Sequence, residues 1–145
     1  MDMTPKEYQA YVKEKAPSSP IVRDCLRAFL VGGLICALGQ AIQNGWLAAG
    51  LTKDDAGATT ACCLVLLSAI LTGLNVYNNI GRFGGAGSLI PITGFANAVV
   101  SPAIDFKAEG IVTGMAAKMF TVAGPVIVFG SLASVVYGVV LMLLR

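Results

Sequence analysis

The stretch that decides the fold is Phe83–Ile104, which reads FGGAGSLIPITGFANAVVSPAI. It carries no charge and is able to enter a membrane, yet glycine and proline inside a helix cost about 1 and 3 kcal/mol relative to alanine. An interrupted backbone at bilayer depth is tolerated only where protein or a water-filled cavity supplies hydrogen-bond partners. We therefore expect a broken or re-entrant helix that lines a polar path, and the alternative is an ordinary spanning helix with packing glycines. The helix breaks that we expect here and further along the chain are Gly84, Gly85, Gly87, Pro91, Gly94, Pro102, Gly124 and Pro125.

The composition indicates a membrane protein. Of the 145 residues, 56% are hydrophobic and 12% are charged, and the mean hydropathy is +0.76, whereas a soluble domain is roughly 25% charged. The net charge of +2 gives no indication of nucleic-acid binding. We expect an all-α polytopic membrane protein with three to four spanning helices and a broken or re-entrant segment rich in glycine and proline.

Patterns typical of enzymes and metal sites are absent from the sequence. Histidine does not occur, and the four cysteines have no CxxC spacing, so a zinc site is not expected. Gly84–Gly87 lacks the lysine and the βαβ setting of a phosphate loop. We therefore expect no enzyme, no cofactor and no metal.

The chain divides into a polar head and a transmembrane domain. In the head, residues 1–20, Thr4 is predicted to cap an amphipathic helix with Glu7 reaching back, and this helix either lies in solvent at the surface or docks a partner. The transmembrane domain is predicted over 21–145. Within it we expect spans at about 28–50, 57–80 and 125–144, a broken segment at 83–104, a surface helix at 102–109 and a half-helix at 111–123.

The distribution of basic residues predicts the orientation in the membrane. Several of them precede the first span, among them Arg23 and Arg27, so the head is expected in the cytoplasm. Arg82 returns to that side after two crossings. If 83–104 re-enters, Lys107 is also cytoplasmic, and if it spans, Lys107 lies outside.

Polar side chains within the apolar stretches predict a seam of amides, hydroxyls and one cation without a buried carboxylate. Such a lining suits an anion or a neutral polar solute, and helix N-termini would add partial positive charge. The predicted seam consists of Gln40, Gln43, Asn44, Asn75, Asn79, Ser88, Thr93, Asn97 and Lys118.

Some members of this seam have a second interpretation. The three amides of the first span share a helix face and should point into the protein, where they either line a pore or only bond a neighbouring helix. Asn75 and Asn79 either cap a helix or meet the broken segment. Lys118 either serves the solute or reaches the interface with its amine.

A chain with so few spans is not expected to enclose a pore alone, so oligomers or sister subunits are implied. Small residues one turn apart permit close contact between membrane helices. The predicted packing positions are Gly33, Ala37, Gly130, Ser134 and Gly138.

Two stretches, FLVGGLICALGQ (Phe29–Gln40) and GAGSLIPITGFANAVVSPAIDFKAEG (Gly85–Gly110), resemble the SpoVAC/SpoVAEB family of sporulation membrane proteins. The resemblance extends over nearly the whole chain. It implies a channel-forming subunit of a complex in the forespore and spore inner membrane that transports dipicolinic acid, with calcium, during sporulation and germination. Implied partners are other stage V A-operon proteins, among them an AE-b-like sister subunit and a soluble thiolase-like subunit. The alternatives are a non-conducting structural or assembly subunit and a tension-gated channel.

Overall fold

The computed structural model describes residues 4–15 and 20–144, and every regular element within these ranges is helical. Three helical stretches among them, Ile21–Ala48, Lys53–Gly73 and Ile111–Leu144, are long and apolar enough to cross a membrane. The predicted all-α membrane fold is confirmed. In chain order the elements are α1 (Pro5–Lys15), α2 (Ile21–Ala48), α3 (Lys53–Gly73), α4 (Tyr77–Gly84), α5 (Ala86–Leu89), α6 (Ile92–Asp105), a 3₁₀ turn (Lys107–Glu109), a π-helix (Ile111–Ala116) and α7 (Ala117–Leu144).

The short helix α1 begins at the predicted capping box. The Thr4 amide donates to Glu7 Oε2 at 2.8 Å, and the Glu7 amide donates to Thr4 Oγ1 at 3.4 Å. The Thr4 hydroxyl also donates to Glu7 Oε2 at 2.8 Å, and the two bonds that the carboxylate accepts, from the amide and from the hydroxyl, hold the pKa of Glu7 below its ordinary value. Tyr8, Tyr11 and Val12 are exposed on this helix.

The ends of α3 are determined by two local motifs. Thr52 caps its start by accepting a hydrogen bond from the Asp55 amide at 3.3 Å. At the other end Asn75 has φ = 57°, and the amide of the following residue donates to the Leu71 carbonyl at 2.9 Å. This is the αL residue of a Schellman motif. The predicted span over 57–80 is therefore too long, because the chain turns at Asn75.

The segment 83–104 is interrupted, as predicted. Helix α4 ends at Gly84, Gly85 has φ = 50°, α5 is about one turn long, and Pro91 precedes α6 in an extended conformation with ψ = 163°. Most of residues 83–88 are helical, because they complete α4 and begin α5.

Other predicted breaks are wrong, and Gly94 is one of them, since it lies inside α6. Pro102, the expected start of a surface helix over 102–109, lies inside α6, and the pair Gly124 and Pro125 lies inside α7. Proline removes only one backbone donor, and membrane helices tolerate this loss when neighbouring helices or hydroxyl side chains compensate. The break that precedes α7 falls at Gly110, where φ = 100°.

Helices α2 and α3 form an antiparallel pair. A Cβ atom on Gly39 of α2 would lie 3.3 Å from the Leu64 side chain, and one on Gly57 of α3 would lie 3.9 Å from Gln43 Nε2. From the first contact to the second, the residue number rises on α2 and falls on α3, as it does in an antiparallel pair. The pair therefore provides the scaffold for the residues that follow.

Residues 77–105 are called the interrupted hairpin below, and their first part, α4 and α5, packs against the first half of α2. A Cβ atom on Gly84 would lie 2.8 Å from the Val31 side chain, and one on Gly87 would lie 1.9 Å from the Ala28 carbonyl oxygen. Glycine at these positions lets the backbones approach closely. Gly87 thus serves packing, although it was predicted as a helix break.

The return arm of the interrupted hairpin, α6, runs parallel to α3. Ser68 contacts Thr93, and one turn later on both helices Thr72 contacts Asn97. The 14 residues of α6 extend about 21 Å, less than the hydrocarbon core of about 30 Å. Helix α6 therefore ends on the side of the scaffold where α3 ends.

Helix α7 follows the hairpin and is mostly exposed. The π-helix before it packs closely, since a Cβ atom on Gly114 would lie 2.3 Å from the Phe106 carbonyl oxygen. In contrast, residues 125–144 are all exposed. No heavy atom of the described residues lies within 4 Å of a Cβ atom built on Gly130, Gly138 or Gly33. The predicted packing stripes therefore face away from the described part of this chain.

Candidate functional site

The predicted seam does not form one continuous lining. The structure brings Ser88 and Thr93 together in a buried network and places Asn75 and Asn97 in a polar cleft. Of the remaining members, Gln40 and Asn44 lie on the outer face of α2, and Gln43 lies between α2 and α3. Asn79 lies at an apolar cavity, and Lys118 lies beside the start of α7.

The buried network joins α3, α4, α5 and α6. The Tyr77 hydroxyl donates to the Ser88 carbonyl at 2.8 Å and lies 2.8 Å from Thr93 Oγ1. Because a phenol has one hydrogen, the Thr93 hydroxyl donates the second bond. The Ser68 hydroxyl donates to the Thr93 carbonyl, and all four residues are at most 5% exposed. The network therefore locks the hairpin and offers no free group to a solute.

The polar cleft lies where the end of α3 meets α6. The Thr72 hydroxyl bonds the Ser68 carbonyl at 2.7 Å and lies 2.8 Å from the side-chain amide of Asn97. Asn78 Nδ2 donates to Asn75 Oδ1 at 3.3 Å. The cleft has a volume of about 290 Å³ and is lined by Thr72, Gly73, Asn75, Asn78, Asn97, Ser101, Ile104 and Asp105. It offers amide and hydroxyl donors together with one carboxylate.

The Asp105 carboxylate was not anticipated in the seam. It is exposed and lies in the polar cleft with Asn97 and Ser101. The seam was expected to contain amides, hydroxyls and a cation only. The cleft therefore offers ligands to a cation as well as donors to an anion.

Two amides of α2 point away from the rest of the described chain. Gln40 Nε2 donates to Asn44 Oδ1 at 2.9 Å, and both residues are exposed. The prediction that they point into the protein is wrong, because amides one turn apart satisfy each other in part. Gln43 is half-buried against α3 near Gly57. This amide pair and the polar cleft share no lining residue and no hydrogen bond.

Lys118 lies beside the end of the hairpin. Its Nζ atom is 4.0 Å from the centroid of the Phe106 ring, within the range of a cation–π contact. Phe106 directly follows α6, and Lys107 is the next residue. This position agrees with the interpretation in which the amine of Lys118 reaches the interface.

An apolar cavity of about 550 Å³ lies between α2 and α3 and is also lined by residues of α4. Asn79, a predicted seam residue, lies at its wall and is exposed. The full lining is Val31, Leu34, Ile35, Leu38, Leu64, Leu67, Ser68, Leu71, Tyr77, Asn79, Ile80, Phe83 and Thr93.

Three important polar residues, Ser68, Thr72 and Tyr77, were missed. A signal was available, because Ser68 and Thr72 lie one turn apart and so do Thr93 and Asn97. Two such pairs on two apolar helices predict a polar contact between these helices. No comparable local signal identifies Tyr77.

The fold and these clusters define a polytopic α-helical membrane protein with an interrupted hairpin locked by buried hydroxyls. Residues 24–140 match the family described as SpoVAC/SpoVAEB sporulation membrane protein, and the chain belongs to this family. It is 48% identical over 136 residues to the stage V sporulation protein AC of Bacillus subtilis (strain 168), in an alignment that covers 93% of this chain and 91% of that protein. No solved structure matches the chain. The family is one of sporulation membrane proteins and not a known enzyme class.

Proposed function

We propose that this chain is a channel-forming subunit of a spore inner-membrane complex that transports dipicolinic acid with calcium during sporulation and germination. The observation that carries the proposal is the polar cleft beside an interrupted helix. Membrane transporters bind solutes at such interruptions. Membership in a family of sporulation membrane proteins supports the same assignment.

The composition of the polar cleft suits a calcium salt of a dicarboxylate. The amide nitrogens of Asn75, Asn78 and Asn97 and the hydroxyl of Ser101 are donors for the carboxylate groups of the solute. Asp105 would repel a bare dianion, but its oxygens are ligands that calcium prefers. The cleft therefore favours the dicarboxylate dianion bound together with calcium.

The route beyond the cleft requires more than this chain. The inner end of the polar cleft adjoins the buried network and the apolar cavity. The side-chain hydroxyls of the buried network already have hydrogen-bond partners. We propose that further copies or an AE-b-like sister subunit complete the path. A soluble thiolase-like subunit would bind on the cytoplasmic side.

Transport of calcium dipicolinate by reconstituted complexes tests the role of the cleft. Asn97→Leu removes the amide that bonds Thr72, and we expect a large fall in flux from complexes that still assemble. Asn44→Leu is the matched control, because it makes the same change on the outer face of α2. Native flux through assembled Asn97→Leu complexes would contradict the proposal.

The role of calcium is tested separately at Asp105. If the cation travels with the dianion, Asp105→Asn lowers the flux measured with calcium and leaves the flux without calcium unchanged or higher. A rise of flux under both conditions would mean that the carboxylate only repels the anion.

A second candidate, a non-conducting assembly subunit, is favoured by the exposed apolar surface of residues 125–144. It predicts that Asn97→Leu leaves transport intact, whereas Gly130→Leu or Gly138→Leu prevents assembly. Measuring flux and complex mass on the same preparations distinguishes the two candidates.

A further inference from the structure

We infer that the apolar cavity between α2 and α3 binds one acyl chain of an anionic phospholipid, whose phosphate lies at Arg27. This inference concerns a different part of the molecule from the polar cleft and does not depend on the proposed transport. The volume of the apolar cavity, about 550 Å³, lies within the range of ligand sites in proteins, roughly 300–1,000 Å³.

The lining of the cavity excludes a polar occupant. Most of its residues are leucine, isoleucine, valine or phenylalanine. The hydroxyls of Ser68, Tyr77 and Thr93 at its wall bond one another or the backbone. A stable water needs two to four polar partners, and the only other polar side chain in the lining is that of Asn79, which is exposed. The cavity therefore favours a hydrocarbon chain.

The depth of the cavity identifies the source of that hydrocarbon. Its lining on α2 extends from Val31 to Leu38, about 15–26 Å along the helix from Ile21 at 1.5 Å per residue. Its lining on α3 lies in the later half of that span, at Leu64–Leu71. At this depth in a bilayer the surrounding molecules are lipid tails.

The position of Arg27 identifies the head group. Arg27 lies one turn before Val31 and therefore on the same face of α2, at the end of the cavity nearest the start of the helix. Its guanidinium carbon is 4.9 Å from the ring centroid of Phe83, which also lines the cavity. Asp24 is the acidic residue closest to Arg27 in sequence, and it pairs with Arg23 at 3.9 Å. A lipid phosphate at Arg27 would place its tail in the cavity.

Native mass spectrometry of the full chain, released from bilayers of phosphatidylglycerol and phosphatidylcholine, tests this site. We expect one retained phosphatidylglycerol per chain. Leu67→Trp fills the cavity and should abolish retention, whereas Leu66→Trp, on the adjacent 61% exposed position, should preserve it. Equal retention by both variants, or no retained lipid on the native chain, overturns the inference.

The head-group assignment has its own variant pair, and neither substitution alters the cavity wall. Arg27→Gln should lower the preference for phosphatidylglycerol about fivefold, since one basic residue near anionic lipid contributes about 1 kcal/mol. Arg23→Gln should leave the preference unchanged. An equal effect of both variants overturns the assignment to Arg27. A dimer without lipid that Leu67→Trp dissociates would show that a second copy occupies the cavity instead.

Discussion

At the scale of single residues, one phenol secures the interrupted hairpin. Tyr77 is 3% exposed and bonds both Ser88 and Thr93. Tyr77→Phe keeps the ring but leaves both oxygens without this partner, so we expect a loss of about 1–2 kcal/mol of stability. The denaturation midpoint in detergent measures this loss. Tyr137→Phe removes a hydroxyl from a 66% exposed ring and should have no effect; equal effects would contradict the role of Tyr77.

The capping box of α1 makes the head sensitive to acid. The ionised Glu7 carboxylate accepts from Thr4, which lowers the pKa of Glu7. The capping stabilisation is therefore fully present above the ordinary value of 4.5 and is lost as the pH falls through the lowered pKa. NMR titration of the full chain in micelles should give a Glu7 midpoint below 4.5. Thr4→Ala keeps the amide donor and removes the hydroxyl donor, so it should raise this midpoint in part, and an unchanged midpoint would contradict the hydroxyl contact.

At the scale of elements, glycine determines how closely the hairpin approaches α2. A methyl group on Gly87 would lie 1.9 Å from the Ala28 carbonyl oxygen, so Gly87→Ala must push α5 away from α2. We expect a loss of about 1–3 kcal/mol or more, which exceeds the gain of about 1 kcal/mol in helix propensity. Thermal unfolding in detergent measures it. Gly33→Ala, with no atom within 4 Å of the new methyl group, should be neutral or stabilising, and a neutral Gly87→Ala would contradict the close packing.

The elements differ in how far sequence reasoning could locate them. The capping box and the interruption before Pro91 depend on local backbone chemistry, so they were predictable. The continuity of α7 through Pro125 was not, because proline breaks helices in water but is tolerated at membrane depth. The network around Tyr77 was missed because its partner Thr93 lies 16 residues away, and only tertiary packing brings the two together.

At the scale of the whole molecule, the contacts imply three crossings with the interrupted hairpin on one side. Helix α6 is shorter than a bilayer is thick and runs parallel to α3, so the chain returns to the side where α3 ends. The following stretch, Ile111–Leu144, has 34 residues, about 51 Å as a helix, and crosses with length to spare. The exposed end of α7 therefore reaches the opposite side from Lys107.

This topology predicts the labelling pattern of single cysteines after the four native cysteines are replaced. Cysteines at Lys6, Arg82 and Lys107 should react with an impermeant maleimide from one side of sealed vesicles, which the basic residues predict to be cytoplasmic. A cysteine at Asp54, in the turn between α2 and α3, should react only from the other side. Because a spanning hairpin would carry position 107 across, labelling of Lys107→Cys together with Asp54→Cys would contradict re-entry. Permeabilised vesicles, in which all four positions should react, provide the control for access.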